Sequence, residues 1–189
     1  MTAVLKMNVQ ELDTKFVEDM KHQFTHSELE IRVHDQPDTA AIFTAKDFWE
    51  TIGLLDWSRE DDDAKVVEPA IRALESQPLA HIYRFADILS EKLWHLDTKG
   101  HAQVFLDDPE EEGYLSVDDF LYARCAVVAN GQKSYEKVLN KPSEMPKDLT
   151  FEPLLYIAMN AYKHKTGKEL MLLPAFNYET YSNKNGWAK

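Results

Sequence analysis

The chain has 189 residues, a formal net charge of -12, 44% hydrophobic and 29% charged residues, and one cysteine. Its length allows one or two domains of ordinary globular composition, and its acidity argues against nonspecific nucleic-acid binding, which depends on neutralising phosphates. One cysteine excludes an internal disulfide framework, and neither a run of about 20 apolar residues nor a signal-peptide core is present, so no membrane span is expected and the expected location is the cytoplasm.

Residues 1–38 read as a small β-α-β unit. Val4–Val9 has the length and character of a short strand. Leu12, Phe16, Met20 and Phe24 follow a helical period, and Glu28–His34 alternates polar and apolar residues as a half-buried strand does. Two strands and a helix are too little to be stable alone. The unit is therefore expected to dock on the rest of the chain or to pair with a second copy through residues 1–35, as a dimerisation element. In pattern it resembles the N-terminal segment of small bacterial antitoxin-type proteins.

Gln36-Pro37-Asp38 breaks the pattern, and residues 39–189 read as a separate α-helical domain of about six helices. Thr44 and Asp47 form a capping box opening a helix that runs to about Leu55. Val67, Ile71 and Leu74 carry a second helix to Ser76. A long third helix covers 79–96, after Pro78. The central helix starts at Ser116, a good N-cap, and stops at Asn130-Gly131, with Gly131 expected in the left-handed conformation. It is apolar along most of its length, which places it at the middle of a bundle. A shorter helix carries Tyr135, Val138 and Leu139. Thr150 is positioned to cap a last helix, stopped by Thr166-Gly167. The tail from Met171 to Lys189 has no helical period, and its aromatic residues point to a segment wrapped on the helices.

Several short motifs in this order resemble the bacterial domain-of-unknown-function family 4240, over residues from about 42 to 187. They are Asp47-Phe-Trp-Glu-Thr-Ile52, Asp118-Asp-Phe-Leu-Tyr-Ala-Arg124, Asn130-Gly-Gln-Lys-Ser-Tyr135 and Pro142-Ser-Glu-Met-Pro146. Tyr162 with Thr166-Gly167, and Ser182-Asn-Lys-Asn-Gly-Trp187, agree as well. Other members often carry Gly-Cys-Ser-Asp-Asp before the phenylalanine, where this chain has Tyr114-Leu-Ser-Val-Asp-Asp119 without the cysteine. The resemblance implies a helical bacterial domain and supplies no catalytic residues.

No phosphate-binding glycine loop, nucleophile elbow, zinc-protease motif or cysteine pair is present, and no cofactor or metal is expected. Arg124, alone in an apolar helix, is either half of a structural ion pair or an anchor for an anionic ligand. Glu91 and His95 stand four residues apart on the long helix, as a metal pair or a plain surface contact. With His81, Asp97 and His101 they form a group around the end of that helix, although His81, on the same face, lies about 21 Å from His95. Joined to Asp97, Asp118, Asp119 and Arg124, Glu91 and His95 make a candidate polar pocket and the best enzyme reading. The acidic runs Asp61, Asp62, Asp63 and Asp107, Asp108, Glu110, Glu111, Glu112 are solvated loops or a surface for a basic partner. Three functions remain: an acidic protein-binding module of antitoxin or immunity type, an enzyme using that pocket, or a structural homodimer. The first is preferred.

Overall fold

The structure, a computed structural model, describes residues 12–27, 31, 43–106 and 115–188. The chain divides into two compact units, Met1–Asp38 and Thr39–Lys189.

In the first unit a single helix is described, α1 (Thr14–Gln23). Asp13 caps it by accepting the Phe16 N–H at 2.7 Å. None of its residues is buried. The expected β-α-β unit, and with it the antitoxin-like likeness, is overturned: no strand occurs among the described residues. Val4–Val9 lies outside them, and of Glu28–His34 only Ile31 is described, 64% exposed and not in a strand. Alternation over seven residues shows that a strand is possible, but a strand forms only where a partner ladder satisfies its backbone.

The second unit is built from α2 (Ala45–Ile52), α3 (Asp63–Glu75), α4 (Leu79–Leu96), α5 (Lys99–Phe105), α6 (Val117–Ala129), α7 (Gln132–Asn140), α8 (Ile157–Thr166) and α9 (Lys184–Trp187). These eight helices exceed the expected six because α5 and α9 are only seven and four residues long. Neither shows a full amphipathic period. The capping box of α2 is formed as expected, with the Thr44 N–H donating to Asp47 at 2.7 Å. The last helix does not begin at Thr150. The chain first makes a 3-10 turn over Glu152–Tyr156 with Pro153 near its start, then enters α8.

α6 is the centre of this unit. Every residue from Ala123 to Ala129 is buried, so the helix has no solvent face beyond Tyr122. It packs against α4, α5, α7 and the 152–156 turn, while α3 packs on α8 and α2 closes over α3 and α4. Phe48, Phe85, Phe120, Leu93 and Leu154 fill the core between them. Gly131 has positive φ but an extended ψ (90°, 175°), so it starts α7 rather than ending α6 in the left-handed region. The left-handed stop falls at Gly167, after α8. Beyond it, residues 170–182 alternate between half-buried and exposed, so every second side chain meets the helices.

Candidate functional site

Two oppositely charged side chains, Asp97 and Arg124, are wholly buried in the helical unit. Burying an unpaired charge is prohibitive, so each must be surrounded by compensating groups. The C-terminal segment 176–187 supplies most of them. Arg124 Nη1 donates to the Leu93 carbonyl at 2.9 Å and to the Tyr178 carbonyl at 3.0 Å. Its Nη2 donates to Thr180 Oγ1 at 2.9 Å, and that hydroxyl donates onward to the Val117 carbonyl at 2.7 Å. The guanidinium also lies 4.9 Å from the centre of the Phe120 ring. Burial pushes Arg124 below its ordinary pKa, and the negative charge of Asp97 acts in the opposite sense.

Asp97 performs the complementary task on the same segment. Its Oδ1 accepts the Tyr181 N–H at 3.1 Å and the Trp187 indole N–H at 2.8 Å. Its Oδ2 accepts the Asn183 N–H at 2.9 Å and the Ser182 hydroxyl at 3.3 Å. The guanidinium thus takes acceptors and the carboxylate takes donors from one stretch of backbone. Tyr181, between the two sets, has a left-handed φ of 72°. A non-glycine residue there costs about 1–2 kcal/mol. The bond to Asp97 and the stacking of Tyr181 on Trp187, at 4.4 Å between ring centres, hold it. Asn183 completes the strap by donating to the Trp94 carbonyl at 3.1 Å and accepting the Gly186 N–H at 3.0 Å. A Cβ at Gly186 would fall 2.8 Å from Thr98 Cγ2, so the segment sits too close to α5 for a side chain.

The other residues singled out in the sequence lie elsewhere. Glu91 and His95 approach to 3.7 Å on the partly exposed side of α4, where the Phe176 ring packs near His95. Asp118 and Asp119 are exposed in the first turn of α6, and the Asp119 N–H donates to Ser116 Oγ. Asp61 and Asp63 are exposed; Asp62 caps α3 and pairs with Lys65 at 2.7 Å. Asp107, Asp108, Glu110, Glu111 and Glu112 lie outside the described residues. Of the six polar-pocket residues, Asp97 and Arg124 meet on the strap and Glu91 meets His95. Asp118 and Asp119 face solvent. Among the described residues no three His, Cys, Asp or Glu side chains gather as a metal centre would require.

Two further polar features lie outside the strap. His101 is buried at the start of α5, with Nδ1 2.7 Å from the Thr98 hydroxyl and Nε2 3.1 Å from the Val138 carbonyl. A carbonyl only accepts, so the network assigns the proton to Nε2. Burial pushes this imidazole below its ordinary value, and the nearby Arg124 charge adds to the effect. The second feature is Glu152, whose carboxylate accepts a short hydrogen bond from the Tyr156 hydroxyl. Thr98 and Tyr156 are local partners, three residues before His101 and four after Glu152, whereas the Val138 carbonyl comes from α7. An open depression of about 480 Å3 also lies beside the strap, between Trp94, Thr98, Gln103, Asn183 and Asn185, without a charged side chain in its lining. Cys125 is fully buried and its thiol is pushed up by that burial, consistent with a packing role.

Residues 43–164 match the family model described as protein of unknown function (DUF4240). The chain belongs to that family. No curated protein and no solved structure matches it. The match ends before the strap, so Arg124 and Asp97 lie within the family region while the segment they hold lies beyond it. Among the described residues no helix is long and apolar enough to cross a membrane.

Proposed function

We propose that this member of the DUF4240 family is an acidic protein-binding module of antitoxin or immunity type, which docks on a basic protein partner. The observation that carries the reading is the division of its charges. The buried pair Asp97 and Arg124 is committed to holding the chain's own strap. Asp61, Asp63, Asp118 and Asp119 are exposed, in a chain of net charge -12. Such a surface accelerates encounter with a positive partner and selects against acidic ones.

The test is recovery of partners by the tagged chain from the lysate of its native host, at low and at high salt, with mass spectrometry of what is retained. The expected outcome is a basic protein held at low salt and released at high salt. Its purified form should then associate at a rate that falls steeply with ionic strength. Recovery of the bait alone, or of partners indifferent to salt, would sink the reading.

A further inference from the structure

Three elements meet on one face of the helical unit. The Phe151 N–H donates to the Tyr122 carbonyl at 2.9 Å, which seats the 152–156 turn against α6. Thr180 bonds to the Val117 carbonyl, which lays the strap along the start of the same helix. Their side chains bring Tyr122 and Tyr156 to the Glu152 carboxylate, with Tyr178 near Tyr156 and with Asp118 and Glu179 exposed nearby. The Tyr156 hydroxyl donates to Glu152 Oε1, and burial together with the nearby Glu152 charge pushes the Tyr122 phenol up. Tyr156 remains 41% exposed and Val117 43% exposed. The hydrogen bond to Glu152 pushes the Tyr156 phenol up to about 12, so it remains a neutral donor across the physiological range.

We propose that the face formed by Val117, Asp118, Tyr122, Glu152, Tyr156 and Glu179 is the docking surface for an arginine-bearing segment of the basic partner. The inference rests on the acidic-module reading above and names the surface and the chemistry it selects. Rigid tyrosines offer large contact area at a low entropy cost, and their rings present a negative face to a cation. Carboxylates beside those rings complete the match to a planar guanidinium, which stacks and donates in pairs at once. A lysine ammonium is a point charge that can use the carboxylates but stacks poorly. Exposed carboxylates without the rings, as at Asp61 and Asp63, would not distinguish the two.

The experiment titrates the full chain with a short oligoarginine and with an oligolysine of equal length, at physiological salt, by fluorescence polarisation. The chain should bind oligoarginine roughly tenfold more tightly. Tyr156→Ala and Glu152→Gln should each weaken oligoarginine binding roughly three- to tenfold and reduce the preference. The double change Asp61→Asn with Asp63→Asn should leave the preference intact. Tyr156→Phe keeps the ring and is the variant to use if Tyr156→Ala does not fold; it should retain most of the preference. Equal binding of the two peptides, or a preference untouched by Glu152→Gln and the Tyr156 changes, overturns this surface and leaves the acidic-module reading standing. If neither peptide binds, both are overturned.

Discussion

Asp97 accepts two donors on each of its oxygens, so the isosteric change Asp97→Asn is far from neutral. Whichever way the amide turns, its NH2 faces at least one N–H donor, those of Tyr181 and Trp187 on one side or that of Asn183 on the other. A loss of about 2–3 kcal/mol is expected, measured as a lower urea midpoint, with the Trp187 emission shifted to the red as the strap loosens. Arg124→Met leaves the Leu93 and Tyr178 carbonyls without their donor and removes the positive charge that acts on Asp97, and should cost about 3–5 kcal/mol. His101 gives a pH signature. Its unfolded value is near 6.5 and its folded value is lower, so the unfolded chain takes up the proton first. Its contribution is complete above pH 6.5 and is lost as pH falls through the folded value. The urea midpoint should therefore drop on mild acidification below about pH 6.5, and His101→Gln should flatten that slope. An unchanged slope would remove His101 from the account. Arg124 was visible in the sequence as an odd residue, but its partners were not. They lie 54 and 56 residues further along the chain, and no local pattern encodes that separation.

Among the elements, α2, α3, α4, α6 and α7 were readable because caps and apolar periods agree over two or more turns. α5 was not readable, although Thr98 caps it by accepting the His101 N–H, because seven residues give too short a period. The strap was recognisable as a wrapped segment from its aromatics. Its route was not, since it is fixed by Asp97 and Arg124 and not by any ladder of its own. At the α6–α7 junction Gly131 occupies a conformation open essentially only to glycine. Gly131→Ala meets no neighbouring atom within 4 Å, so the cost is backbone strain alone. A loss of about 1–3 kcal/mol is expected by urea denaturation. A neutral result would mean that the junction relaxes into another turn.

At the scale of the molecule, the buried hydrophobic cluster among the described residues runs from Phe43 to Ala161, within the helical unit. A chain of residues 39–189 should accordingly unfold in one cooperative urea transition, with circular dichroism showing its helices retained; a broad, non-cooperative transition would refute this. The helical class and its central helix were legible because they follow from local patterns. The extent of the core was legible for the same reason. What joins the strap to it was not, because that depends on charges meeting backbone across the fold.

The joins to the strap also run in one direction along the chain: Asp97 and Arg124 precede every strap residue that bonds to them. The bonds from Asp97 and Arg124 to the strap span 54 to 90 residues. At a ribosome adding roughly 5–20 residues per second, the guanidinium and the carboxylate wait on the order of ten seconds for their partners. Through that interval the nascent bundle holds two ions that water must still reach. Its interior cannot dry until the strap clears the exit tunnel, so the emergence of the strap is the step that seals the fold.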